Sequence, residues 1–437
     1  MVRLNRHGCI PALWMAVLSG GVLMAQAGPG PFDQGAFTDL QRVGSPINSE
    51  HWESMGSLSY DKLWIYFVSN RPPSVGSEWC VDLWVARRGS VDEPFGEPTN
   101  QGILRHVNSV ADECTPHISV DDTVLMLYSD RHAPGSGDYD IYVSTRDDPG
   151  ADFGPPVSFS AAYPTSGVGS AYSEFGQSIS CDRLAVYFSS DRPGGKGGFD
   201  LYVATRDSPG GLFDTVRNLG AVNTSAHEFS PIVSGDNTTL FFSDYIAPFR
   251  PGGLGEGDIW MVTRASADED WENARARNLG WPINSRYADF DFFVSHDWPA
   301  EGSSIWFTTD RPRSRRGNAN CSQSIFADDI WDADIYTGTW IPAKPFRRGD
   351  ADGDGASSLT DAVFILRYLF EGDQAPSCLK AADVTDSGSL DLTDPVYLLA
   401  HMFGDGQAPP EPFAACGPDP TADLYTLSCN SYPPCRQ

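Results

Sequence analysis

A unit of roughly sixty residues recurs along this chain, and that recurrence restricts the fold more than any composition does. Leu125-Met-Leu-Tyr-Ser-Asp-Arg131 is followed by Asp140-Ile-Tyr-Val-Ser-Thr-Arg146, and Val186-Tyr-Phe-Ser-Ser-Asp-Arg192 by Asp200-Leu-Tyr-Val-Ala-Thr-Arg206. An earlier copy pairs Ile65-Tyr-Phe-Val-Ser-Asn-Arg71 with Asp82-Leu-Trp-Val-Ala-Arg87. A later one pairs Leu240-Phe-Phe-Ser-Asp244 with Asp258-Ile-Trp-Met-Val-Thr-Arg264. A fifth, looser copy joins Ile305-Trp-Phe-Thr-Thr-Asp-Arg311 to Asp334-Ile-Tyr336. Arg87, Arg146, Arg206 and Arg264 follow one another at 59, 60 and 58 residues, a regularity that composition does not produce.

Each unit holds short runs of β-branched and aromatic residues bounded by Gly, Pro, Asn and Asp, the signature of strands and turns. An acidic residue and a Ser-x-Asp turn precede each Ser-Asp-Arg strand: Glu113 with Ser119 and Asp121, Glu174 with Ser180 and Asp182, Glu228 with Ser234 and Asp236. Four strands per unit, five units over, match a β-propeller, an architecture of about 4–8 four-stranded blades. The Ser190-Asp-Arg-Pro-Gly-Gly195 to Asp200-Leu-Tyr202 pattern resembles the TolB-like, or WD40-like PD40, propeller repeat over residues 28–343. The expected fold is therefore all-β, a five-bladed propeller, with six blades as the alternative. The fifth unit ends near Trp340 without an outer strand, so the segment from Phe37 to Val43 is expected to complete the last blade.

A residue present in every blade solves a problem that every blade has, so Asp130, Arg131, Asp191, Arg192, Asp310 and Arg311 read as structural, satisfying turns or pairing across strands. Non-repeated features make better functional candidates. These are the loop carrying Arg313, Arg315 and Arg316 before Asp328, Asp329, Asp332 and Asp334, and Trp79 and Trp298, placed in loops where aromatic rings could hold sugars. The chain has no HExxH, no GxSxG elbow and no P-loop. Paired carboxylates for glycoside cleavage are set by spatial separation and leave no linear signature.

Past Lys344 the period changes from strand-like to helical. Asp350-Ala-Asp-Gly-Asp-Gly-Ala-Ser-Ser-Leu-Thr-Asp361 fits a twelve-residue calcium loop: Asp350, Asp352 and Asp354 at one, three and five, Gly355 at the turn, the Ala356 carbonyl at seven, Ser358 through water at nine, and Asp361 at twelve. The theme returns 33 residues later with Asp383, Thr385, Ser387, Gly388, Ser389, Asp391 and Asp394, where Thr385 and Ser387 stand in place of acids and predict weaker binding. Helices are expected over 362–370 and from Pro395 to about Phe403. This double loop–helix resembles a type I dockerin. The resemblance spans about residues 347–417 and implies a module that folds around Ca2+; the domain is read as 344–437, with a cysteine-containing tail after Cys416 that the family pattern does not explain. The resemblance also implies a cohesin-like or other cell-surface partner met by Leu359, Thr360, Leu392 and Thr393; Leu stands here at loop position ten, where that family often has a polar residue.

Residues 1–27 read as a signal peptide: Arg3, Arg6 and His7, an apolar stretch from Ile10 to Met24, then Ala25-Gln26-Ala27. With its removal the formal charge goes from −28 to −30, which repels phosphate backbones and argues against nucleic acid. No segment is long and apolar enough to be read as a membrane span. Eight cysteines remain after the leader, an even number that suits disulfides in an exported, extracellular, periplasmic or cell-surface protein; the last four, Cys378, Cys416, Cys429 and Cys435, allow three pairings. Two functions follow: a propeller-based binding or scaffold protein with a polysaccharide or protein ligand, attached through the calcium module, or a glycoside hydrolase or accessory protein of polysaccharide breakdown. Two or three non-repeated carboxylates at the propeller's channel mouth would favour the second.

Overall fold

The computed structural model describes residues 35–437, apart from 74, 76–80, 132–138, 214–215, 272–273, 312–332, 343–344, 373, 418–426, 428, 430–431 and 436–437. The signal-peptide segment, Trp79, Arg313, Arg315, Arg316, Asp328, Asp329 and Asp332 lie outside the described residues. The chain divides into two compact units, Phe37–Thr339 and Trp340–Gln437.

The first unit is a five-bladed β-propeller. In chain order its strands are β1 (Gly35–Arg42), β2 (Glu53–Leu58), β3 (Trp64–Ser69), β4 (Asp82–Arg87), β5 (Glu113–Ile118), β6 (Val124–Ser129), β7 (Asp140–Thr145) and β8 (Val157–Ser158), followed by a helical turn, α1 (Phe159–Ala162). Then come β9 (Glu174–Ile179), β10 (Ala185–Ser190), β11 (Asp200–Thr205), β12 (Arg217–Asn218), β13 (Phe229–Val233), β14 (Thr239–Ser243), β15 (Ile259–Thr263), β16 (Arg277–Asn278), β17 (Asp289–Val294), β18 (Ser304–Thr309) and β19 (Asp334–Pro342). They form sheets β2-β3-β4, β5-β6-β7-β8, β9-β10-β11-β12, β13-β14-β15-β16 and β17-β18-β19-β1. A bridge between Val85 and Thr99 stands where the first blade's fourth strand would be. The innermost strands β2, β5, β9, β13 and β17 neighbour one another in turn, and β17 returns to β2, so the ring closes at five blades.

Residues such as Ile65, Tyr66, Phe67 and Val68 form an unbroken apolar run, not an alternating one, because both faces of each blade are covered by neighbours. Leu83, Val85, Leu104, Leu125 and Phe153 fill the space between the first two blades. Met55, Phe67 and Trp84 meet Phe293, Trp306 and Ile335 between the last blade and the first. As expected from the missing outer strand, β1 completes the last blade, lying beside β19. Arg42 grips Asp334 with two bonds, Nε at 2.6 Å and Nη2 at 2.5 Å, a bidentate pair that ties the ends of the ring together.

The second unit carries α2 (Leu359–Glu371), α3 (Leu379–Ala382) and α4 (Thr393–Phe403), so the two long helices lie close to where their apolar spacing places them. Ser358 caps α2: its side chain accepts from Thr360 N at 3.1 Å, while Asp361 Oδ2 accepts from Ser358 N at 2.7 Å. Gly372 ends that helix at φ 68°, a left-handed turn that suits glycine. A small core of Ala362, Ile365, Ala382, Val384 and Leu398 lies between loops and helices. Two disulfides select one of the three pairings, Cys378–Cys429 and Cys416–Cys435. No helix among the described residues is long and apolar enough to cross a membrane.

Candidate functional site

The repeated acids and arginines of the propeller pair with each other inside each blade. Glu53–Arg71 (2.7 Å), Glu113–Arg131 (2.6 Å), Glu174–Arg192 (2.9 Å), Glu228–Arg250 (2.6 Å) and Asp289–Arg311 (3.1 Å) are one contact made five times. Each acid also accepts from the backbone N–H of a Ser or Thr four residues earlier, as from Ser109 and Ser170. Each arginine reaches the carbonyls of the loop entering its blade, as Arg192 does at Gly167 and Val168. Asp130, Asp191 and Asp310 accept from the N–H groups of Asp112, Ser173 and Ala288, each at 2.9 Å. These groups satisfy buried turns, as their recurrence implies. Arg88, rather than Arg87, takes the part of Arg146, Arg206 and Arg264: it donates to the Lys62 carbonyl and covers Phe95 at 4.5 Å.

One carboxylate departs from the repeat. Asp291 stands two residues after the clamp acid Asp289, where the other blades carry Met55, Thr115, Gly176 and Ser230 after Glu53, Glu113, Glu174 and Glu228. It accepts hydrogen bonds from Ser54 Oγ of the first blade and, at 2.8 Å, from Ser230 Oγ of the fourth, so it joins three blades around the axis. Gly176 explains how the inner strands approach so closely: a Cβ there would stand 2.6 Å from Ser230 Cα. Beside Asp291, Tyr128, Phe175, Phe229, Tyr245 and Phe290 pack into a buried aromatic layer drawn from four blades. Both hydrogen bonds described for Asp291 come from serine hydroxyls, and glycoside cleavage would require a second carboxylate at a set distance from it. Trp298 is buried and stacks on Phe37 at 5.7 Å, which makes it a packing residue and not a sugar platform.

Burial pushes the Asp291 carboxyl up to about 6, against its two serine donors. A folded-state value above the unfolded one means that the native protein holds this proton at a pH where the unfolded chain has lost it. The resulting stabilisation is full below the unfolded value and is lost as pH rises through about 6. Asp291→Asn is therefore expected to raise the propeller's melting temperature at pH 8, by at most ~3 kcal/mol in stability, with the advantage vanishing near pH 4. Melts of both proteins at the two pH values measure this; an equal gap at both would refute it.

The second unit gathers a different set of acids. Oxygens of Asp350, Asp352 and Asp361 lie within 4.8 Å of one another, a convergence suited to a hard cation. Asp350 and Asp361 are fully buried, and no arginine or lysine pairs with either in the hydrogen bonds described. Asp350 accepts from Gly353 N, Asp354 N and Gly355 N, and Asp361 from Asp352 N and Ser358 N. Burial, with the charges of Asp352 and Asp350 added, pushes Asp361 up to about 6, a sign that the cluster lacks a counter-charge of its own. Gly355 sits at φ 93°, so glycine is needed at the sixth position. Asp354 stands outside the converging group and bonds Ala356 N at 2.8 Å, Ala356 is exposed, and the Ser358 side chain is engaged as the helix cap.

The second loop repeats these backbone bonds 33 residues on. Asp383 accepts from Ser387 N and Gly388 N, and Asp394 from Thr385 N and Asp391 N. Thr385 Oγ1 donates to Asp394, Ser387 Oγ contacts Ser389, and Asp391 bonds Thr393. Buried Arg348, which the sequence reading passed over, pairs with Asp386 at 2.9 Å and donates to the Asp383 carbonyl, bringing positive charge to this loop. Leu359 and Leu392 are each 49% exposed at the helix starts, with Thr360 and Thr393 exposed beside them. Val363, Phe370, Val396 and Phe403 extend the two apolar faces at equivalent positions.

No family model matches the chain, and no curated protein matches it. Solved structures similar to it include TolB from Acinetobacter baumannii, 10% identical with a TM-score of 0.34, the match covering 71% of this chain and 65% of that one. An alpha-L-arabinofuranosidase from Lactobacillus brevis is 13% identical with a TM-score of 0.40, over 70% of this chain and 94% of that one. Zg3597, a family 117 glycoside hydrolase from Zobellia galactanivorans, is 14% identical with a TM-score of 0.39, over 71% and 92%. The five-blade assignment rests on the strand order of this chain itself.

Proposed function

We propose that this chain is an exported binding or scaffold protein whose propeller presents a ligand surface and whose dockerin-like second unit attaches it, in a calcium-dependent way, to a cohesin-like or other cell-surface partner. The observation that carries this reading is the convergence of Asp350, Asp352 and Asp361 on one turn, with Asp350 and Asp361 buried and neither paired with a basic side chain in the hydrogen bonds described. Asp350, Asp352 and Asp361 would hold the ion, with Asp354, the Ala356 carbonyl and Ser358 as further oxygen donors. Calcium would supply the positive charge that these carboxylates lack. The loop of Asp383, Thr385, Ser387, Ser389, Asp391 and Asp394 offers fewer charges, and Arg348 already serves part of it, so it binds more weakly. The matched apolar residues at the helix faces, Leu359 with Val363 and Phe370, Leu392 with Val396 and Phe403, support docking there, beside Thr360 and Thr393.

Calorimetric titration of the full chain is expected to show one tight calcium site, with a second, weaker one at most, and a melting transition of the second unit raised by calcium. Neither heat nor a shifted melt up to millimolar calcium would sink the proposal. For the propeller, exposed Trp281 (73%) beside Arg311 supports a sugar or protein contact. New reducing ends from a polysaccharide panel, above a heat-treated control, would replace the scaffold reading with the glycoside-hydrolase one.

A further inference from the structure

The C-terminal tail is tied back onto the start of the first acidic loop. Gly417 and Phe346 exchange backbone hydrogen bonds at 3.0 Å, Cys378 and Cys429 form a bridge and a disulfide, and Cys416–Cys435 closes the tail's far end. Between those cysteines Tyr432 is 5% exposed, packed with Phe346, Cys378 and Ala381. Its hydroxyl donates to Asp350 Oδ2, the oxygen that also accepts from Gly355 N at 2.9 Å. Pro434 lies 3.6 Å from where a Cβ on Gly355 would stand, so the same tail also covers the loop's turn. Asp350 thus has its carboxylate plane set from two directions, by the loop's own backbone and by a side chain 82 residues away. Groups that orient a ligating carboxylate govern metal affinity nearly as strongly as the ligands do.

We propose that Tyr432 is a positioning residue of the first loop, delivered by the disulfide-tied tail to fix Asp350 and so set the loop's affinity for calcium. The proposal rests on the calcium reading of that loop and adds the tail as part of the site. Tyr432→Phe keeps the ring in its small core and removes only the hydroxyl. In the full chain, chelator-competition titration is expected to show calcium bound about 10–100-fold more weakly. The melt in EDTA should fall only by the loss of one buried hydrogen bond, whereas a residue that only filled the core would leave the affinity of the folded protein at its wild-type value, because phenylalanine fills the same space. Cys416→Ser with Cys435→Ser, which frees the tail's end and keeps Cys378–Cys429, is expected to weaken calcium in the same direction and serves as the second arm if the tyrosine variant does not fold. Wild-type affinity in a folded variant overturns the proposal. Failure of the wild-type chain itself to bind calcium overturns the loop reading, and the proposal with it, and is told apart by the wild-type titration alone.

Discussion

Asp361→Ala is expected to abolish tight calcium binding by the full chain and to lower the calcium-dependent melting transition of the second unit to its value in EDTA. Asp361 does two jobs at once: one oxygen receives Asp352 N and the other receives Ser358 N, closing the loop onto the first turn of α2. Loss of an orienting partner alone typically weakens a metal site 10–100-fold, so loss of a buried ligand should exceed the upper end, on the order of 100-fold or about 2.7 kcal/mol. The capping box is lost as well, worth about 1 kcal/mol of helix stability. The equivalent Asp394→Ala should have a smaller effect on calcium, because its loop has Thr385 and Ser387 in place of acids. Equal effects of the two substitutions, or none from Asp361→Ala, would contradict the assignment of the first loop as the main site. Affinity should also fall as pH drops below about 6, where Asp361 takes up a proton.

The second large effect is expected in the propeller. Glu174→Ala removes a fully buried acceptor that serves Arg192 at 2.9 Å, Ser190 at 3.2 Å and both the N–H and hydroxyl of Ser170. It leaves a guanidinium whose side chain is only 14% exposed without its counter-charge. Breaking a buried pair by removing one partner typically costs about 3–5 kcal/mol, which for a unit of this size means a fall in melting temperature on the order of 10 °C. Thermal unfolding at pH 8, with the carboxylate ionised, measures it. Arg192→Ala and the double variant complete a cycle. The double variant should be destabilised by clearly less than the two single losses together, since the second change removes a charge that the first stranded. Additive losses would show that the pair is not the unit of stability proposed for each blade.

The legibility of this chain follows from where repetition supplies the signal. Strands, blade number and the closing role of β1 could be read from the sequence because each blade buries both faces and must repeat the same apolar run every sixty residues or so. The structural role of Asp130, Asp191 and Asp310 was legible for the same reason. The fourth blade's clamp was not. Arg250 stands six residues beyond Asp244 instead of next to it, yet its guanidinium reaches Glu228 and covers Phe242 and Trp260 at 5.1 Å, as Arg192 covers Phe188 and Tyr202. A longer loop delivers the same group to the same place, and linear spacing cannot reveal that. Asp291 was equally hidden, because its distinction is the company of Ser54 and Ser230 from other blades.

In the second unit, alternating Asp residues before a glycine specify a loop by themselves, since its bonds run between residues only a few positions apart. Cysteine count alone left three pairings open, and only the folded chain selects Cys378–Cys429 with Cys416–Cys435. The same holds for Tyr432 and Arg348, whose partners lie 82 and 38 residues away. Local chemistry determined the strands, the loops and the presence of the two long helices in advance, while their first turns begin two or three residues earlier than expected, at Leu359 and Thr393. Contacts closed over long stretches of chain, where one hydroxyl or guanidinium reaches a carboxylate from another element, were decided by the tertiary structure alone.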